Sequence, residues 1–562
     1  MIYFFFSGEN PISAHKDTGH MGAPNNYQSY SLDHHGLVAA LYDELNIGTH
    51  IDQLIPQDLD QRNISIGTAV KAMIINGLGF SNRTLYLMPQ FFQDKPIERL
   101  LGEGITPDQL NDDVLGRTLD RLYDYDVTTL YSQLAIPVVK QLGLDGKTSH
   151  IDSTSFHYDG RANSDRPPEN DEVIHITKGY SRDHRADLNQ VSLQLIVEQQ
   201  AGIPLLMRSM SGNSVDTKAF NETFENHIDQ LKKELPITYI TGDAALYTKD
   251  NIKSLSSDYY WISRVPESLA LAKNAIHSLA EELAQKNEPQ AIATLTTDYA
   301  GIEQRWLIIH TQAGRERAIE SVNKQLLKLT SKEQKSFRSL CRQTYACEAD
   351  AKVAFKAFIK TLKATEIIDF TIENKPYYNT KGRPKKDQEP DGFHYFIAGQ
   401  TASLPSEYKR RVERKSCFIL ATNQLDKTLL PNDDVVKTYK NQQKVERGFR
   451  FMKDPLFHAS TLYLKSPKRI MALMMIMTLC LLVYSALEYR IRQALKEADQ
   501  TFPNQVGKET KTPTARWVFQ YFTGIHLLVI QELTFLVLNL NEHHRRLLHL
   551  LGKSYEDFYS SG

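Results

Sequence analysis

The sequence predicts an α/β protein, and three observations carry that expectation. After Gly146 the spacing of apolar residues changes from helical to strand-like. The segments that follow run strand, strand, strand, helix, strand, helix, strand. Acidic residues fall inside or at the ends of those strands, where ligand sites in such sheets gather. A chain of 562 residues exceeds what one hydrophobic core usually supports, so several domains are expected.

Each element has its own warrant. Residues 1–30 read as a disordered leader: the apolar Met1–Phe6 is shorter than a signal-peptide core, lacks a basic flank and runs into a Gly- and Asn-rich stretch. Residues 31–145 read as a helical N-terminal DNA-binding domain. Leu37, Leu41 and Leu45 recur at helical spacing, Ala69–Ile75 follows the N-cap candidate Ser65, and Leu115, Leu119 and Leu122 follow Asn111. The segment 111–123, with Arg117 and Arg121, is either a DNA-recognition helix or an amphipathic helix with solvated arginines, the second being the commoner case.

The first part of the core, 146–264, holds strands at Thr148–Phe156, Val191–Val197, Ile203–Met210, Ile237–Thr241 and Tyr259–Ser263, with helices at Asp216–Leu231 and Asp250–Leu255. Residues 265–415 read as an insertion domain, too long for a loop. It holds a strand at Gln304–His310, a Lys-rich helical stretch from Ser331 to about Thr365 and a polar loop with Lys381, Arg383, Lys385 and Lys386, read as a solvated charge run. The core resumes over 416–500 with a strand at Ser416–Thr422, a basic helix at Asp433–Met452 and an apolar helix at Ile470–Gln493. Residues 501–562 read as a helical C-terminal tail, with Trp517–Leu540 at helical spacing.

Composition excludes several classes. With 41% hydrophobic and 24% charged residues the chain is an ordinary globular protein, not a disordered one. Its net charge of -1 removes any uniformly basic surface, so binding to nucleic acid would need local positive charge. Cys341, Cys347, Cys417 and Cys480 form no C-x-x-C pair, which suggests neither disulfides nor structural zinc and fits a cytoplasmic protein. The apolar run Ile470–Leu487 is borderline for a bilayer span, and its Thr478, Tyr484 and Ser485 favour a buried core helix and no membrane partner.

Three carboxylates stand out: Asp152 inside a strand, Asp243 at the end of another, and Glu446 on the basic helix. A carboxylate in a strand bound for the core is costly unless paired or metal-bound. If neighbouring strands bring Asp152 and Asp243 together, their repulsion favours a divalent cation. Oxygen-only ligands point to Mg²⁺ or Mn²⁺ rather than zinc. Each acid alone also has a plain reading, as a cap, a strand-end Asp or a helix-face ion pair. The surroundings of Glu446 shift that balance. Lys437, Lys440, Lys444, Arg447, Arg450, Lys453, Lys465, Lys468 and Arg469 face only Glu446 and Asp454 in acid, in a chain near neutrality. Cations that hold a backbone around an acidic metal site suit phosphodiester chemistry.

On these residues the sequence resembles the DDE transposases of insertion sequences, which have a ribonuclease H-like catalytic core. The helix is similar to the signature Tyr-x2-Arg-x3-Glu-x6-Lys of one branch: Tyr439, Glu446 and Lys453 fit, while Gln442 replaces the arginine, with Lys444 or Arg450 as substitutes for its charge. The stretch Lys178–Arg185, the turn Ser211–Asn213 and Phe418–Asn423 resemble members of the IS-sixteen-thirty-four type. The resemblance implies that Asp152, Asp243 and Glu446 are catalytic and bind two Mg²⁺ or Mn²⁺ ions. It implies that Tyr439, Gln442, Lys444, Arg450 and Lys453 contact DNA. The reaction implied is cleavage and strand transfer at terminal inverted repeats of double-stranded DNA, by a homodimer in the synaptic complex. A metal-dependent nuclease without strand transfer and an inactive DNA-binding derivative are the alternatives. Among weaker features, His150, His157, His175 and His184 lack zinc spacing, Met471–Met477 reads as core packing, and Trp261 and Trp306 are expected to be buried in strands rather than to stack a flipped base.

Overall fold

The structure, a computed structural model, describes residues 27–56, 64–80, 87–158, 173–181, 185–379, 383, 385, 388–454, 457, 464–531 and 533–561, the side chains of residues 228–230 excepted. Most of the leader, residues 182–184 of the Lys178–Arg185 stretch, and Lys381 and Lys386 of the basic loop lie outside the described residues.

The core is one eight-stranded mixed sheet. Its strands are β1 (Thr148–Tyr158), β2 (Asn189–Glu198), β3 (Pro204–Ser211), β4 (Tyr239–Gly242), β5 (Tyr260–Arg264), β6 (Gln290–Tyr299), β7 (Ile302–Thr311) and β8 (Cys417–Thr422), in the order β3-β2-β1-β4-β5-β8-β7-β6. β1, β2 and β3 are consecutive antiparallel strands. Their β2–β3 turn is made possible by Gly202, whose φ of 78° suits glycine. β1, β4 and β5 are parallel, and β8 joins β5 antiparallel. β1 is buried along almost its whole length, so its Ser149, His150, Asp152, Ser153, Thr154 and Ser155 lie inside the protein rather than on a solvated edge.

The segment 265–415 divides into two parts. Its first part, β6 and β7, extends the eight-stranded sheet beyond β8. Its second part consists of the helix Gln312–Cys341, the helix Glu348–Ile359, the hairpin of strands Thr365–Tyr377 and Gly392–Ser403, and the helix Pro405–Lys415, the first and last of which touch β7 and β8. The helical expectation for 331–365 therefore holds over 331–341 and 348–359, with a break at 342–347, and the hairpin strand begins at Thr365.

The N-terminal module is helical. His35–Glu44, Ile47–Leu54, Ile66–Leu78, Asp112–Asp124 and Val127–Gln141 are its main helices, and Ser65 caps the third by accepting from the Thr68 amide. It packs on the apolar helix, which runs from Pro467 to Glu497 and touches helices 35–44, 66–78, 112–124 and 127–141 together with β3. That helix is long and apolar enough to cross a bilayer, yet most of its apolar window is buried inside the protein. Arg469 at its start makes a two-pronged ion pair with Asp120, Nε to Oδ1 and Nη2 to Oδ2, both at 2.7 Å. Arg117 and Arg121 of the helix 112–124 are exposed, but its first turn carries Asp112 and Asp113, which repel phosphates where a recognition helix would meet DNA.

The tail is mixed rather than helical. Trp517 lies in the short helix Ala515–Tyr521, after which His526–Ile530 and Thr534–Leu538 form a hairpin, and the helices Glu542–Leu551 and Lys553–Phe558 follow. Apolar runs of five residues suit either helix or strand by periodicity alone, and here the hairpin prevails because Tyr27–Ser31 pairs with its first strand. Residues 27–30, read as leader, belong to that three-stranded sheet.

Candidate active site

Strand register brings the first two acids together. On the parallel strands β1 and β4, Ile151 pairs with Gly242. One step further, Asp152 stands beside Asp243, and neighbouring strands are about 4.8 Å apart. Side chains alternate along a strand. Thus Asp152 and Thr154 face one side of the sheet, while Ser153 faces the other and donates to Asp216. Asp152 is buried and accepts from the Ser153 amide at 2.7 Å; Asp243 accepts from the Ala245 amide at 2.9 Å.

The third acid arrives on a broken helix. The basic segment read as one helix is two, Asn432–Lys440 and Gln443–Met452, interrupted at Asn441 and Gln442. The first lies against β4 and β5 and the second against β1, so the break folds the segment around the strands that carry Asp152 and Asp243. Gly448 sets the second helix against the apolar helix: a β-carbon there would stand 2.9 Å from Leu481 Cδ2.

Asp152, Asp243 and Glu446 line one cleft of about 950 Å³, together with Thr154, Arg264, Arg317, Tyr439, Lys440, Gln442, Arg450 and Lys453. The Tyr439 hydroxyl senses all three acids. Its pKa is pushed up to about 12, first by burial and then by Asp243, Glu446 and Asp152, against a lowering by Arg264. It therefore remains a protonated donor at neutral pH. Gln442 is buried in the wall of the cleft, and its Oε1 has no hydrogen-bond partner among the described residues. The Lys453 ammonium lies 5.8 Å from the Phe156 ring, beside β1. Among the described residues no three His, Cys, Asp or Glu side chains are gathered closely enough to hold one ion.

Lys444 is placed elsewhere. Two positions from Glu446 on a helix is about 200° of rotation, and its ammonium donates to the backbone carbonyl oxygens of Gln199 and Gln200, the latter at 2.7 Å. The structure thus brings Tyr439, Gln442, Arg450 and Lys453 to the acids and directs Lys444 to the β2–β3 turn.

Sequence reasoning missed Arg264 and Arg317. Arg264 ends β5, at the carboxyl edge of the parallel strands where sites gather, and that position was a usable signal. It pairs with Glu267 at 2.9 Å. Arg317 comes from the helix Gln312–Cys341, and nothing local in its sequence marks it. Of the weaker candidates, Trp261 and Trp306 are buried, their indole N–H groups donating to Ser256 Oγ at 2.9 Å and to the Tyr247 hydroxyl at 3.2 Å. Burial holds the pKa of His150 down to about 4, which keeps it neutral.

Comparison with known proteins identifies the family to which the chain belongs. A family model described as a transposase DDE domain matches residues 145–483, and a domain of unknown function, DUF4277, matches residues 27–136. No curated protein matches the chain. Among solved structures, a piggyBac transposase synaptic complex with hairpin DNA aligns over 88% of this chain and 82% of that one, at 9% identity and a TM-score of 0.36, a likeness too distant to bear on the site. The DDE match spans the strands that carry both aspartates and the helix that carries Glu446, and the chain belongs to the transposases with a DDE domain.

Proposed function

We propose that this transposase cuts and joins double-stranded DNA at the terminal inverted repeats of an insertion element, with Asp152, Asp243 and Glu446 as its catalytic acids. The observation that carries the reading is their convergence, from two adjacent parallel strands and one helix, on a single cleft bordered by cations. The order β3-β2-β1-β4-β5 supports a ribonuclease H-like core. The chemistry of the donor set, though not its spacing in this structure, suits a hard divalent cation. The set consists of carboxylate oxygens and the orphaned Gln442 Oε1, with no thiol or imidazole lining the cleft. Asp152, Asp243 and Glu446 would hold two Mg²⁺ or Mn²⁺ ions, which supply stabilisation of phosphate charge and an acidified attacking hydroxyl.

The chain's own groups do the rest. Arg450 and Lys453 neutralise the backbone phosphates on either side of the scissile bond. The Tyr439 hydroxyl, held protonated, donates to a phosphate oxygen, and Arg264 balances the acids at the far wall. Water attacks the phosphorus and breaks its bond to the 3'-oxygen, leaving a 3'-hydroxyl and a 5'-phosphate. The 3'-hydroxyl then attacks a target phosphorus, and the new phosphodiester forms as the target strand's own 3'-oxygen leaves. The signature resembles that of the IS-sixteen-thirty-four type, action is cytoplasmic, and joining two ends calls for a homodimer at synapsis.

The test is a duplex carrying the element's end, incubated with Mg²⁺. Glu446→Gln should abolish cleavage, a loss of at least about 10³-fold, while DNA affinity stays within about threefold. Full cleavage by this variant would remove Glu446 from the site. Cleavage by the wild type without joining would instead mark a nuclease.

A further inference from the structure

The helix Gln443–Met452 carries cations on two faces. Glu446, Arg450 and Lys453 recur at helical spacing toward the acids. Lys444 and Arg447 point instead into a second pocket of about 410 Å³. Its other walls are the turn Gln200–Gly202, residues of the apolar helix between Leu481 and Arg492, and Thr514 with Arg516.

The lining is strongly positive. Lys444, Arg447, Arg450, Arg492 and Arg516 stand against Asp454 and Glu488. Arg516 pairs with Asp454, Arg492 pairs with Glu488 at 2.7 Å, and Lys444 is committed to the turn carbonyls. Arg447 and Arg450 make no ion pair among the described residues. The cations also feel one another: burial first, then Arg447 and Arg492, lower the Lys444 pKa, against a raising by Glu198 and Glu488. Positive charge gathered in a recess from three separate helices, with fewer acids than cations in its lining, calls for an anion. Arg450 lines both this pocket and the acidic cleft, so one side chain joins them.

We infer that this pocket is a second phosphate-binding site, which takes the backbone of the DNA strand as it leaves the cleft and crosses the helix Gln443–Met452. The inference rests on the proposed function. A helix with its side chains is about 10–12 Å thick, and one DNA strand advances about 3.4 Å per nucleotide. The phosphate bound here therefore lies a few nucleotides along the strand from the one at the acids, and it is a different contact from those of Tyr439 and Lys453.

The test uses the full chain and a fluorescent mixed-sequence duplex, with affinity measured from 50 to 200 mM salt. Loss of one phosphate contact reduces the logarithmic salt slope by about 0.9, which shrinks the fall in affinity over that range by about threefold. Arg447→Ala should show that reduction, Arg447→Lys should restore the wild-type slope, and Lys553→Ala, on an exposed remote helix, should leave it unchanged. An unchanged slope in Arg447→Ala, with the reduction present in Lys453→Ala, would overturn this pocket and leave the cleft reading intact. A wild type with no salt-dependent DNA binding would overturn both. Polyglutamate that competes as well as DNA would assign the pocket to an acidic protein partner and overturn the inference.

Discussion

Replacing Lys444 by methionine separates a structural cation from a DNA-binding one. The substitution keeps the length of the aliphatic stem and removes two hydrogen bonds from a charged donor to the carbonyls of Gln199 and Gln200. Bonds of this kind contribute about 1.5–3 kcal/mol each. Here the gain is partly cancelled, because burial already disfavours the charged amine and lowers its pKa. A net anchoring contribution of about 2 kcal/mol follows. If all of it holds Glu446 over Asp152 and Asp243, its loss slows the chemical step by about 30-fold, at 1.36 kcal/mol per tenfold. The assay is single-turnover cleavage with enzyme in excess, paired with the salt dependence of DNA affinity. The expected result is a cleavage rate reduced up to about 30-fold with an unchanged salt slope. A slope reduced by about 0.9 with an unchanged cleavage rate would refute the reasoning and return Lys444 to the DNA contacts.

Three further outcomes follow from packing and burial. In Gly67→Ala the new β-carbon would lie 2.4 Å from the Gly48 carbonyl oxygen, so the crossing of helices 47–54 and 66–78 must open. Net destabilisation of about 1–3 kcal/mol is expected despite alanine's better helix propensity, and a raised melting temperature would contradict it. Burial pushes the His34 pKa down to about 4, and the ring stacks on Phe519 at 4.3 Å between centroids. The unfolded histidine titrates near 6.5, so the unfolded chain binds the extra proton between those values. The stability His34 confers is complete above about pH 6.5 and is lost as pH falls toward about 4. His34→Phe should accordingly flatten the decline in melting temperature from pH 7 to 5, and an identical decline would rule this out. For Asp120 and Arg469, both partly exposed, a double-mutant cycle by denaturant unfolding should give a coupling of about 0.5–1 kcal/mol; a coupling near zero would mean that the apolar contacts alone dock the helix 112–124.

The site was legible where a charge sat in an unsuitable place. Asp152 in a buried strand and Asp243 at the end of the next parallel one are costly without a partner, and that cost is visible in the residues themselves. Glu446 was legible through the basic residues around it. The direction of its neighbours was also available, since Arg450 and Lys453 share its helical face and Lys444 does not. The break at Asn441 and Gln442 was not, because neither residue forbids a helix and only packing on β4, β5 and β1 requires the bend. β6 escaped notice because Gln290–Tyr299 is a half-buried edge strand rich in threonine and weak in apolar contrast, whereas its partner β7, with Trp306–Ile309 buried, was read as a strand. The tail was misread as helix because its strands find their partner in Tyr27–Ser31, about 500 residues away in the sequence.

That last pairing bears on how the molecule is made. A ribosome adding about 5–20 residues per second releases the first strand of the terminal sheet roughly half a minute to two minutes before the last. The N-terminal helices also emerge well before the apolar helix Pro467–Glu497 on which they pack. Tyr559, whose hydroxyl donates to the Asp33 carbonyl, closes the same seam. Folding of the N-terminal module is thereby tied to the synthesis of residues 467–559, and a nascent transposase cannot finish that module until those segments have emerged.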